Sequence, residues 1–279
     1  MPMKFTKMHG CGNDYVYVNC FEEKVDNPAE VSIKVSERRF AIGSDGLILI
    51  KPSKVADCEM DIYNADGSRA KMCGNGVRCV AKYAYDHGIA TKDEISVDTQ
   101  SGIKTIKVTV KDGKVETARV NMGAPILEPA KIPVALEGDS VIDREVSVEG
   151  NTVNITCVSM GNPHAILFVD DAENAPVHTL GPVLEKCSLF PEQANIEFVQ
   201  VISDTEVRMR VWERGSGETW ACGTGACATA VACILNGKTK NEVTVHMNGG
   251  DVVINYDKAN KTVYMTGPAT EVFTGEIDV

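Results

Sequence analysis

Cys73 and Cys222 each stand directly ahead of a Gly-x-Gly step, in MCGNGVRC (72–79) and ACGTGACA (221–228). The residues after each step are helix-forming, so each cysteine marks a helix start. Backbone N–H groups lack intrahelical partners there and the macrodipole is positive, which favours a thiolate and predicts a pKa lowered from about 8.5 toward neutrality. The same N–H groups, those of Gly74, Asn75, Gly223 and Thr224, suit a carboxylate, and the glycines let a ligand approach the backbone. Two such thiols fit a reaction that removes a proton from one face of a carbon and returns one to the other, while a carboxylate takes up the charge in between. One Cys-Gly-x-Gly alone reads more readily as a structural turn.

The two cysteines are 149 residues apart, and the same step carries Gly12–Asn13 onto Gly161–Asn162, Tyr63 onto Trp212 and Gly88 onto Gly237. Asn64 then corresponds to Glu213 and Gly46 to Asn195. A fixed offset over so many positions predicts two copies of one fold. MGAPILEPAKIP, from Met122, holds three prolines and is the natural boundary between them.

The elements that position the cysteines are mostly strands. YVYVNC, LILIKP, CEMDIYN, IKTIKVTV, ETARVNM, VNITCVSM, HAILFVD, EFVQVI, EVRMRVW, NEVTVHM, GDVVINY and KTVYMTG are rich in β-branched residues and bounded by turn formers. Helices are predicted after both Cys-Gly motifs, and also around 28–40 and 180–190. Val77, Val80, Ala81 and Ala84 recur at helical spacing, with Gly88 as a stop. The second helix, 225–235, is apolar almost all round and must be buried. The fold class is α+β, mainly antiparallel, with each copy wrapped around its helix.

Composition narrows the function classes. The 279 residues carry a net charge of -11 and no basic patch interleaved with aromatics, which argues against nucleic acid. No stretch approaches the roughly 18 apolar residues of a membrane span, and no signal peptide is recognisable, so a cytoplasmic protein is expected. The ten cysteines include no Cys-x-x-Cys, so free thiols are expected and a metal site is not. Cys58, Cys157, Cys187 and Cys233 read as small buried hydrophobes. His9, His87, His178 and His246 have no constellation around them.

Taken together, KMHGCGNDYVYV, YNADGS, MCGNGVRC, SMGNPH, WERGSGETWACGTGA and MTGPAT closely resemble the diaminopimelate epimerase family along nearly the whole chain. The resemblance implies a pyridoxal-phosphate-independent epimerase, without any cofactor, that interconverts LL- and meso-diaminopimelate for lysine and peptidoglycan synthesis. It implies two pseudo-symmetric domains, 1–122 plus 268–279 and 123–267, each a β-roll or barrel around a central helix, and a homodimer. On the family's pattern Cys73 and Cys222 are the catalytic thiols. Gly74, Asn75, Gly223 and Thr224 cradle the reacting carboxylate, while Asn13, Asn64, Asn162, Asn195, Glu213 and Arg214 read the substrate. His164 supports the site, and Arg214 suits the distal carboxylate. One departure is Gly46, where many members have glutamine.

The residues alone leave other readings open. Asn13, Asn64 and Asn162 are also ordinary turn residues, and Glu213–Arg214 an ordinary exposed pair. A proline or hydroxyproline racemase of the same fold, a non-catalytic amino-acid-binding module and a thiol redox protein are the alternatives to diaminopimelate epimerisation.

Overall fold

The computed structural model describes residues 2–279. Its contacts divide the chain into two compact units, one running to Val120 and taking back Thr266–Val279, the other Asn121–Met265. The chain begins with β1 (Met3–Gly10), β2 (Asn13–Asn19), α1 (Pro28–Ser36), β3 (Gly46–Lys51), β4 (Cys58–Asn64) and β5 (Arg69–Ala70). Next come α2 (Gly74–Asp86), β6 (Glu94–Asp98), β7 (Lys104–Lys111) and β8 (Lys114–Gly123). The second round is β9 (Arg144–Val148), β10 (Asn151–Ser159), β11 (Pro163–Phe168), α3 (Val177–Glu185), β12 (Asn195–Val201), β13 (Glu206–Glu213) and β14 (Gly217–Thr219). It continues with α4 (Gly223–Leu235), β15 (Glu242–Met247), β16 (Gly250–Asp257) and β17 (Thr262–Pro268), after which β18 (Thr270–Ile277) pairs antiparallel with β1.

The repeat is exact at the helices: a shift of 149 turns the bounds of α1 into those of α3 and those of α2 into those of α4. Most strand pairs are antiparallel, but β2–β3, β4–β6, β11–β12 and β13–β15 run parallel. Parallel neighbours need a long crossover, usually helical. α1, α2, α3 and α4 are those four crossovers, so both Cys-Gly motifs lie where a chain leaving a strand turns into its crossover helix.

α2 contacts β1, β2, β4, β6, β7 and β18, and α4 contacts β10, β11, β12, β13, β15 and β16. Each is therefore the core of its own roll. Val77, Val80, Ala81 and Ala84 are all buried, and Gly225–Ile234 of α4 are buried without a break. Gly88 and Gly237, with φ of 76° and 67°, end the two helices in the left-handed region.

Several elements differ from expectation. α1 and α3 end at Ser36 and Glu185, well short of 40 and 190, and α3 starts three residues early and carries Pro182 inside it. β1, β5, β6, β9 and β14 are not among the expected strands. β1 hides its pattern because Lys7 is buried, bound to Asp14 at 2.5 Å and to the Gly43 carbonyl. Cys58, Cys157 and Cys233 are buried, but Cys187 is only half-buried.

Candidate active site

Cys73 and Cys222 are the N-caps of α2 and α4. Each residue is extended, and each Sγ accepts the N–H of the third helical residue, Gly76 or Gly225, at 3.3 Å. A sulfur thus takes the place of the usual Ser or Asp oxygen. The glycines sit in tight spaces. A Cβ on Gly76 would lie 2.8 Å from Ile48 Cδ1, and one on Gly225 would lie 2.8 Å from Glu197 Oε1 and 3.1 Å from Cys222 Sγ.

The first site gathers around Cys73, which is half-buried. Its thiol donates to Asn13 Oδ1 at 3.3 Å, and Asn13 Nδ2 donates in turn to Asp45 at 2.7 Å. Arg38 bridges Asp45 and Asp14 at 2.8 and 2.7 Å. Inside α2, wholly buried Arg78 donates to the carbonyls of Gly74 and Pro268. Asn75 is buried, and its Oδ1 has no protein partner. Asn64, half-buried at the end of β4, binds Ser68 Oγ at 2.9 Å.

The second site gathers around Cys222, which is buried, with Thr224 Oγ1 at 3.5 Å. Glu213, the last residue of β13, accepts from Thr219 and faces the thiol. His164 on β11 is 2.6 Å from Glu197 Oε1 by Nδ1 and 3.1 Å from Asn162 Oδ1 by Nε2. Asn195 is buried, its Oδ1 accepting the Arg214 N–H at 2.7 Å and its Nδ2 lying 3.4 Å from His164 Nδ1. The exposed Arg214 guanidinium donates to the Glu192 carbonyl at 2.9 Å. Among the described residues no cluster of three His, Cys, Asp or Glu is placed to hold a metal.

The 149-residue step aligns these two sites residue by residue: Asn13 with Asn162, Tyr15 with His164, Ile48 with Glu197, Asn64 with Glu213, and Arg78 with Cys227. The backbone is shared and the charge is not. The first site holds a buried cation, and the second holds two acids where the first has Ile and Asn. Tyr15, Asp45, Arg78 and Glu197 were not singled out from sequence.

Thiol acidity departs from the expectation. Burial pushes the Cys73 thiol up, against the Gly76 and Asn75 N–H groups and the Arg78 charge, which pull it down. Burial pushes Cys222 well above its ordinary value, and Glu213 and Glu197 push the same way. The helix start helps the thiolate, but removing it from water costs more. Glu213 is itself raised, first by burial.

The model of the family described as diaminopimelate epimerase matches residues 5–128 and 156–272. The chain belongs to the diaminopimelate epimerase family. A diaminopimelate epimerase from Agathobacter rectalis is 59% identical over 284 residues, covering 99% of this chain and all of that one. Another, from Acetivibrio thermocellus, is 53% identical over 277 residues and 99% of both chains. A solved PhzF-family phenazine biosynthesis protein from Bacillus anthracis shares the fold with a TM-score of 0.73 at 17% identity over the full length of both. A probable proline racemase from Agrobacterium radiobacter shares it at 0.69 and 15%, over 99% of this chain and 93% of that one.

Within this family member the charge asymmetry has a direct chemical readout. Thiolate, not thiol, is alkylated, and below a raised pKa its fraction grows about tenfold per pH unit. Iodoacetamide at pH 8 is expected to modify Cys73 faster than Cys222, and both more slowly than free cysteine. Both rates should still be climbing above pH 9. Peptide mapping over a time course checks this, and equal or faster labelling of Cys222 would contradict it.

Proposed function

We propose that the chain interconverts LL- and meso-diaminopimelate by two-base proton transfer at the α-carbon, in lysine and peptidoglycan biosynthesis. The observation that carries the reading is the pair of cysteine N-caps, each ahead of Gly-x-Gly, in a chain 59% identical to a relative named for this activity. In one direction the Cys73 thiolate takes the Cα proton and Cys222 delivers its own to the opposite face, leaving Cys73 as thiol and Cys222 as thiolate. The reverse reaction swaps the roles. Arg78 favours the thiolate at Cys73, and the carboxylates favour the protonated form at Cys222.

The planar intermediate places its charge on the α-carboxylate, for which the N–H groups of Gly74, Asn75, Gly223 and Thr224 are the cradle. Asn75 Oδ1, a buried acceptor with no protein partner, suits the α-ammonium. Asn13, Asn64, Asn162, Glu213 and Arg214 are the groups we assign to substrate reading, with His164 in support. Asn195, which also holds the Arg214 backbone N–H, is assigned the same role. The chemistry as proposed needs no cofactor. Following the family resemblance, we also read the protein as a cytoplasmic homodimer; among the described residues no helix is long and apolar enough to cross a membrane.

Incubating purified protein with LL-diaminopimelate, without pyridoxal phosphate, and separating the stereoisomers tests the reading. Formation of the meso isomer to a stable ratio supports it, and an unchanged substrate overturns it. Distal recognition has its own test. Arg214→Met should lower kcat/KM for diaminopimelate about 100-fold or more, because it leaves the far carboxylate unpaired. Arg214→Lys should restore part of that loss, since a lysine keeps the charge without the two-pronged grip. Unchanged kcat/KM in Arg214→Met would remove Arg214 from the substrate site.

A further inference from the structure

Glu197 is a buried carboxyl group that the proposed chemistry does not use. It lies in the middle of β12, wholly shielded from water, and its side chain reaches the start of α4. Oε1 is held by His164 Nδ1 at 2.6 Å and lies 2.8 Å from where a Cβ on Gly225 would be, and the Gly225 N–H is the one that binds Cys222 Sγ. Oε2 is buried with no protein partner. A buried carboxylate oxygen left unpaired is costly, and mutation would readily remove it if packing were its only use.

The protein contains its own control for that last point. At the equivalent place in the first unit stands Ile48, fully buried, with Cδ1 2.8 Å from the Cβ position of Gly76, whose N–H Cys73 caps as Cys222 caps that of Gly225. An apolar side chain fills the space beneath the helix start and the same backbone forms. The fold therefore does not require a carboxylate there.

We propose that Glu197 is a positioning residue for the reaction, holding the His164 ring by Nδ1 and setting a fixed negative charge behind Cys222 so that this thiol carries its proton to the substrate. Every facing element contributes to its surroundings: His164 from β11, Cys157 from β10, Glu213 from β13, Cys222 from the start of α4 and Asn195 from its own strand. Of these only His164 is hydrogen-bonded to the carboxylate as a basic partner, and the Glu213 carboxyl, itself raised by burial, faces the same thiol. The proposal rests on the epimerase reading only in making Cys222 the proton donor. Its effect on the thiol itself is independent of turnover.

The test compares wild type with Glu197→Gln, which keeps the shape and removes the charge, and with Glu197→Asp, which keeps the charge. Iodoacetamide labelling of Cys222 is measured from pH 7 to 10 by peptide mapping, with Cys73 of the same molecule as reference. In Glu197→Gln the ratio of Cys222 to Cys73 labelling at pH 8 should rise about tenfold, the equivalent of one pKa unit. In Glu197→Asp it should stay nearer to wild type. With diaminopimelate, Glu197→Gln should lower kcat with KM within about twofold, because the carboxylate does not touch substrate. An unchanged labelling ratio in a folded Glu197→Gln protein overturns the proposal. So does failure of Glu197→Gln to fold, which would make the charge a requirement of the fold. A wild-type protein that labels as expected but leaves diaminopimelate unchanged would instead count against the epimerase reading alone.

Discussion

Cys73→Ser and Cys222→Ser are each expected to lower kcat for diaminopimelate about 10²- to 10⁴-fold while leaving thermal stability close to wild type. The cap geometry is the reason both halves of this outcome are required. Each sulfur accepts the N–H of Gly76 or Gly225 at 3.3 Å, and a serine oxygen caps a helix at least as well. A serine hydroxyl, however, is far too weak an acid or base for the proton transfer, whose worth is of that size. The alanine variants should be equally inactive but also lose about 1 kcal/mol, because the cap is gone. Kinetics with thermal unfolding on all four variants separates the roles. A Cys222→Ser enzyme with near-normal turnover would leave the two-base scheme without its second base.

Gly46→Gln is expected to destabilise the protein by about 3 kcal/mol or more and to abolish activity with it. A Cβ at this position would lie 2.1 Å from the Tyr63 carbonyl oxygen and 3.1 Å from Asn64 Cα, both backbone atoms that cannot swing aside. Gly46 is also paired with Asn64 in the β3–β4 ladder, so relieving the clash means shifting that ladder and Asn64 with it. The departure from the glutamine that many family members carry is thus built into the strand spacing. Urea unfolding of Gly46→Gln, with Gly88→Ala as comparison, measures the difference. Gly88 has φ 76° but nothing within 4 Å of its Cβ position, so Ala there should cost only about 1 kcal/mol. Similar losses at the two sites would contradict the steric account.

How much of the site is legible in the sequence depends on which physical property each residue expresses. Cys73 and Cys222 declare themselves because a helix start, a Gly-x-Gly step and a periodic apolar face are local features, and the common offset ties them together. Glu197 does not. In NIEFVQV it reads as the outward residue of an alternating strand, but β12 is contacted by both α3 and α4 and has no outward face along its first five residues. Asn195 has the right spacing for a substrate group, but that its Oδ1 also holds the Arg214 backbone N–H is visible only in the structure. The direction of the thiol shifts is hidden for a related cause: the dipole of a helix start follows from the motif, whereas the burial that outweighs it comes from strands distant in sequence.

The central claim is that two thiols act on opposite faces of one carbon, and the isotope content of the first product tests it most directly. LL-diaminopimelate is incubated with the purified protein in D2O, the reaction is stopped at a few per cent conversion, and the separated isomers are weighed by mass spectrometry. Two-base transfer predicts that newly formed meso isomer carries one deuterium, supplied by the solvent-exchanged thiol, while the remaining LL isomer is still protium. A single group working on both faces would return the original protium to the product or deuterate both isomers alike, and either result would contradict the account.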